Sequence, residues 1–156
     1  MTETEALAAL RGDDRARVAQ AEAALWAMWC RSGRPELDAE LAEAVAAMER
    51  HDFSGAERRL SRLVERMPAW AEAWNKRATV RYLARDYAGS IADCAETLAR
   101  KPHHFGALAG QGLCHMALGQ YTPAAAMFRR ALAVHPHLAA VRRNLRSALA
   151  EVVRFN

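Results

Sequence analysis

The strongest constraint on the fold of this chain is a repeat with a period of 34 residues. Pro68, Pro102 and Pro136 are spaced at that interval. Several residue types that repeat together indicate stacked structural units, each of which buries its apolar face only against its neighbours. The other series with this period are aromatic (Phe53, Tyr87, Tyr121), small (Ala44, Ala78, Gly112) and apolar (Val64, Leu98, Leu132).

Each unit is predicted to form two helices. Ala, Leu, Arg and Glu, which are good helix formers, dominate the chain. The repeated proline ends the second helix, because it has no N–H to donate and disfavours the α conformation in the preceding residue. A capping box between Ser54 and Glu57, and an N-cap at Thr122 followed by Pro123, predict two of the helix starts. The predicted helices span residues 37–50, 54–66, 71–84, 88–100, 105–118 and 122–134.

Apolar stripes predict further helices at both ends of the array. Residues 4–11 and 14–31 are expected to form an N-terminal cap or a degenerate leading hairpin, and residues 138–153 a closing helix. A solenoid needs such caps because its end units have a neighbour on one side only. The predicted division is an N-terminal segment 1–36, three repeats 37–70, 71–104 and 105–138 (together 37–138), and a C-terminal capping helix 139–156.

The repeat pattern resembles the tetratricopeptide repeat (TPR) family. The resemblance covers about residues 37–138 and implies an all-α, TPR-type α-solenoid of antiparallel helix hairpins. Glu40 and Glu43 stand where the family prefers large apolar residues, so the first repeat departs most from the pattern. The residues that carry the resemblance are Trp74, Ala78, Tyr87, Ile91, Leu98 and Pro102 in the middle repeat, and Gly112, Gly119, Tyr121, Ala124, Phe128, Ala131, Leu132 and Pro136 in the last.

In TPR proteins the first helix of each repeat lines a concave groove that holds a peptide or helix of a partner. The resemblance therefore implies a non-catalytic protein–protein interaction module, a scaffold or adaptor. A largely apolar groove favours an apolar or amphipathic partner segment, which is recognised by pockets rather than by charge. The implied groove residues are Leu41, Val45, Met48, Asn75, Lys76, Thr79, Tyr82, Ala109, Leu113, Met116 and Arg143.

The resemblance implies a structural role for Arg77. Chaperone-associated TPR proteins pair the arginine of an Arg-Ala submotif with a later aspartate of the same repeat, which here is Asp93. A planar guanidinium can hold a carboxylate through two parallel hydrogen bonds, and lysine cannot. Those relatives also bind acidic tails through a carboxylate clamp, but Leu41, Gly106 and Gly110 replace clamp residues here. We therefore expect an ion pair without a clamp.

An alternative interpretation of the groove stays open. Its apolar residues would form an exposed patch larger than monomers usually tolerate. The N-terminal helix of the same chain, or a second copy in a homodimer, would cover that patch. The chain would then be an autoinhibited or self-associating structural protein.

The remaining sequence features argue against other classes of function. A net charge of +4 without an aromatic and basic pattern gives no reason to expect a nucleic-acid partner. No run approaches the length of a membrane span, no signal peptide is visible, and three widely spaced cysteines suit the cytoplasm. No phosphate loop, nucleophile elbow or metal-ligand spacing is present, so we expect no enzyme activity, cofactor or metal.

Overall fold

The computed structural model describes residues 1–155, and all nine elements of that part of the chain are α-helices. Short connections join successive helices from α3 onward into stacked hairpins, which confirms the predicted all-α solenoid. No helix within the described range has the length and apolarity needed to cross a membrane. The helices are α1 (Glu3–Ala9), α2 (Arg15–Trp29), α3 (Pro35–Glu49), α4 (Phe53–Arg66), α5 (Ala71–Leu83), α6 (Tyr87–Arg100), α7 (Phe105–Ala117), α8 (Tyr121–Val134) and α9 (Ala139–Phe155).

The turn inside each hairpin repeats with the same period. His51, Arg85 and Gly119 occupy equivalent positions, and their φ angles of 63°, 65° and 71° all lie in the left-handed region. This conformation ends the first helix and reverses the chain within two residues. Glycine adopts it without steric cost, whereas the first two repeats hold it with larger residues.

The second helices begin earlier than the sequence patterns predict. Their N-caps are Asp52, Asp86 and Gln120, so the prediction of a capping box at Ser54 is wrong. The Asp52 carboxylate accepts a hydrogen bond of 2.9 Å from the Gly55 amide, and Asp86 caps its helix in the same way. In the third repeat Pro123 stands at the position of Gly55 and has no N–H, and Gln120 makes no side-chain cap there. Thr122 and Pro123 lie inside α8 instead of starting it.

A close approach of α7 and α8 explains one member of the small-residue series. A Cβ atom at Gly112 would overlap the ring of Phe128, which is completely buried in the core of the third repeat. Ala44 and Ala78 at the equivalent positions are also buried. The period in small residues therefore reflects how closely the two helices of each hairpin pack.

The hairpin of α1 and α2 lies across the loops between repeats instead of stacking in line on α3. The indole N–H of Trp70 donates to the carbonyl of Trp29 at 2.8 Å, near one end of α2. Near the other end, His137 Nε2 donates to the carbonyl of Gly12 at 2.8 Å. The hairpin thus spans all three repeats along one edge of the solenoid. Its apolar side chains cover Phe105, Val134 and Leu138 there.

Candidate binding cavity and its polar surroundings

A cavity of about 170 Å³ lies between α5, α6 and α7. Asn75, Thr79 and Tyr82 face it from α5, because positions separated by four and three residues share one face of a helix. Ala109 and Leu113 face it from α7 by the same spacing. The cavity therefore brings together five of the predicted groove residues. The full lining is Asn75, Ala78, Thr79, Tyr82, Ser90, Cys94, Gly106, Ala109, Gly110 and Leu113.

Most hydroxyl groups of this cavity already donate to the backbone. Thr79 Oγ1 donates to the carbonyl of Asn75 at 3.1 Å, and Ser90 Oγ donates to that of Ala78 at 2.7 Å. Within residues 1–155, the Tyr82 hydroxyl has no hydrogen-bond partner. Burial, with Tyr87 close by, raises the pKa of Tyr82, so its phenol is protonated and able to donate at neutral pH. The cavity is thus mainly apolar with one available donor.

The other predicted groove residues do not line the cavity. Leu41 is 3% exposed and belongs to the core of the first repeat, and Met48 packs against that core. Met116 packs against the core of the third repeat. Val45 is half-buried, and Arg143 is exposed on α9. Among the residues expected to form an apolar patch, the structure buries Leu41 and half-buries the others.

Arg77 and Asp93 form a bidentate pair between α5 and α6. Arg77 Nε and Nη2 donate to the two carboxylate oxygens at 2.9 Å each. Arg81, which the sequence left unassigned, donates to Asp93 at 3.1 Å and to Glu57 of α4 at 2.9 Å. Arg77 also donates to Ser61 at 3.3 Å. These contacts join two repeats, and they occupy both arginines with partners inside the chain.

Glu72 is a fully buried carboxylate that contacts the cavity residue Asn75. Its oxygens lie 2.8 Å from His104 Nε2 and 2.9 Å from the Asn75 amide nitrogen, with Lys76 Nζ at 3.4 Å. Burial raises the pKa of Glu72, but the hydrogen bond from His104 and the Lys76 charge outweigh it, so the pKa lies below its ordinary value. Because Asn75 gives its NH₂ group to Glu72, the amide of this cavity residue is held in one orientation.

The tautomer of His104 follows from its two partners. Its Nδ1 accepts a hydrogen bond of 3.0 Å from the Ala107 amide, which caps α7. An atom that accepts carries no hydrogen, so Nε2 holds the proton that is donated to Glu72. Sequence reasoning missed this pair, because a glutamate in the first turn of a helix and a histidine in a loop usually face solvent.

The N-terminal hairpin packs against His104 and Gly106. The ring of Trp29 stacks on His104 with centroids 4.2 Å apart, and Trp26 meets that ring edge-on. Lys76 Nζ lies 5.2 Å from the centroid of Trp26. A Cβ atom at Gly106 would come within 2.8 Å of Trp26 Cη2, so glycine makes room for this indole. Trp26 therefore packs directly against Gly106, which is one of the residues that line the cavity.

The buried cysteines are unsuited to nucleophilic chemistry. Burial raises the pKa of Cys94 to about 12, and Cys114 and Asp93 add to the shift. Burial also raises the pKa of Cys114. Both thiols are protonated at neutral pH, and a thiol is a poor nucleophile. Among the described residues, no three His, Cys, Asp or Glu side chains come together as metal ligands.

Comparison with known proteins identifies the fold. No protein family model matches the chain. A TPR repeat-containing protein of Rhizobium etli is 33% identical over 82 residues, which are 53% of this chain and 40% of that protein. The TPR domain of Sgt2 from Aspergillus fumigatus superposes with a TM-score of 0.75 at 20% identity, over 79% of this chain and 83% of that one. This chain has the fold of TPR proteins.

A second TPR structure carries a ligand. The first TPR domain of Spaghetti (RPAP3), solved with the HSP90 peptide SRMEEVD, has a TM-score of 0.73 at 15% identity, over 75% of this chain and 93% of that one. The resemblance to the TPR family is thus confirmed. Identities of 15% and 20% show a shared fold alone, and the chain spans less than half the length of its Rhizobium relative. The partner must be argued from the cavity.

Proposed function

We propose that this protein is a non-catalytic interaction module that binds an apolar or amphipathic segment of a partner protein against α5 and α7. One large apolar side chain of that segment enters the cavity between α5, α6 and α7. The observation that carries the proposal is the convergence of Asn75, Thr79, Tyr82, Ala109 and Leu113 on this one cavity. A partly closed apolar pocket with few polar groups is the usual form of a binding site.

The lining of the cavity favours an apolar anchor over an acidic tail. No lysine, arginine or histidine is among the residues that line it. The peptide bound by Spaghetti, SRMEEVD, is acidic, and a pocket without cations offers such a tail no counter-charge. The Tyr82 hydroxyl is the available donor, suited to one carbonyl oxygen of the partner backbone.

A matched pair of variants tests this function. Leu113→Asp places a charge in the cavity, whereas Leu118→Asp places the same charge at a residue that is 45% exposed and outside it. Proteins captured by the wild type are identified by mass spectrometry, and their binding segments are remade as peptides for titration. We expect Leu113→Asp to weaken peptide binding about a hundredfold and Leu118→Asp to leave it unchanged. Equal effects of both variants would refute binding in the cavity.

Occupation of the cavity by the chain itself is the weaker candidate. Every residue that lines it belongs to α5, α6 or α7, so no residue of α1 or α2 fills it in the described part of the chain. Trp26 contacts Gly106 and is not among the lining residues. Self-association through a second copy predicts a dimer mass at micromolar concentration, which Leu113→Asp would abolish. A monomer mass for the wild type would leave binding of a partner as the function.

A further inference from the structure

A second cavity, of about 290 Å³, lies where α2 meets α9 and the loop after α8. It shares no residue with the cavity described above, and the proposed function makes no use of it. Helix α2 forms one wall, and the loop after α8 forms the other together with the first turn of α9. Its lining residues are Arg15, Val18, Ala19, Glu22, His135, His137 and Arg142.

The two walls face each other with unpaired positive charge. Arg15 is the first residue of α2, and Arg142 lies in the first turn of α9. Neither guanidinium has an ion-pair or hydrogen-bond partner within residues 1–155. The first turn of a helix also carries partial positive charge, although Asp14 offsets it in α2 by capping that helix. Two free guanidinium groups at one cavity favour an anion.

His135 supplies a second observation. Its side chain is about 2% exposed, and its Nε2 lies 2.9 Å from a carboxylate oxygen of Glu22. Because a carboxylate only accepts hydrogen bonds, Nε2 carries the hydrogen. The other ring nitrogen, Nδ1, is buried and has no partner among the described residues. A buried polar atom without a partner is costly, and this one belongs to a residue that lines this cavity.

We propose that this cavity binds a phosphate group between Arg15 and Arg142. The fork of a guanidinium matches two phosphate oxygens, and the cavity offers one such fork from each wall. Glu22 opposes an anion, but one of its carboxylate oxygens accepts the hydrogen bond from His135 Nε2. The bound phosphate ties α2 to α9, and so secures the hairpin to the end of the solenoid.

Titration with inorganic phosphate tests the site directly. Isothermal calorimetry is run against sodium chloride of matched ionic strength, and we expect one saturable site in the wild type. Arg15→Gln and Arg142→Gln should each weaken binding about tenfold or more. Arg17→Gln on α2 and Arg146→Gln on α9 are matched controls, since both arginines are exposed and neither lines the cavity. These controls should bind like the wild type.

The same titration distinguishes the source of the phosphate. A short neutral peptide carrying phosphoserine is compared with its unphosphorylated form and with free phosphate. Tighter binding of the phosphopeptide assigns the site to a phosphorylated partner, and equal binding assigns it to a small phosphate. Binding that does not saturate, or that the control variants weaken as much as Arg15→Gln does, would overturn the proposal. Thermal melts of each variant establish that a loss of binding is not a loss of fold.

Discussion

Arg77 holds Asp93 through two parallel hydrogen bonds of 2.9 Å each, and the carboxylate they enclose is only 2% exposed. Removing the guanidinium leaves a buried charge with one remaining cation, that of Arg81. We expect Arg77→Ala to lower the free energy of unfolding by about 2–4 kcal/mol. Urea denaturation measures the change, with Arg58→Ala, at an exposed arginine of α4, as the control.

A double-mutant cycle measures the interaction free energy of Arg77 with Asp93 apart from the other contacts of each residue. Because Asp93→Ala removes the same contact, the two changes combined should cost less than their sum. Harmless single variants whose effects add would show that the pair contributes nothing.

Because the Glu72 carboxylate is buried, we expect the free energy of unfolding to fall at acidic pH. Its pKa in the folded protein lies below the ordinary value of 4.5, so the folded chain takes up a proton less readily than the unfolded one. This contribution to stability is complete above about pH 4.5 and is lost as the pH falls through the lowered pKa. Urea denaturation across that window should show a smaller loss of stability for Glu72→Gln than for the wild type.

Glu65→Gln, at an exposed residue of α4, is the matched control and should follow the wild type. If the free energy of unfolding changed with pH in the same way for the wild type and for Glu72→Gln, the pKa of Glu72 would be equal in the folded and unfolded chains.

Trp29 anchors the hairpin of α1 and α2 to the solenoid. Its ring stacks on His104 at 4.2 Å and its carbonyl accepts from Trp70. Trp29→Ala should cost about 3–5 kcal/mol and should loosen residues 3–29 before the repeats unfold. Hydrogen exchange followed by mass spectrometry checks this, with Met28→Ala on the same helix as the control. Uniformly faster exchange over the whole chain would contradict local release.

Close packing at Gly112 leaves no room for a larger side chain between α7 and α8. Gly112→Ala places a methyl group against the ring of Phe128, and we expect overpacking to cost about 1–3 kcal/mol. Thermal melts measure the loss. If the ring is the cause, Phe128→Leu should cost less in the Gly112→Ala background than in the wild type. Additive effects would assign the loss to the backbone at Gly112 instead.

Much of the solenoid follows from local sequence. The 34-residue period predicted the helix pairs, because the turn and the interhelical contacts of each repeat use residues close together in the chain. The Arg77–Asp93 contact lies within one hairpin and followed from the family resemblance. Five residues that the family resemblance implied for the groove line one cavity, since helical spacing determines which side chains share a face.

Contacts between distant parts of the chain were decided only by the tertiary structure. No sequence pattern indicates that Trp29 stacks on His104, or that Glu22 meets His135, because the partners lie tens of residues or more apart and outside the period. Leu41 has the spacing of a groove residue, yet the first repeat buries it. The sequence alone determined the repeat and its helices, because those depend on short-range periodicity. Only three-dimensional packing decided where the N-terminal hairpin docks and which apolar side chains remain open to a partner, because burial depends on contacts between distant segments.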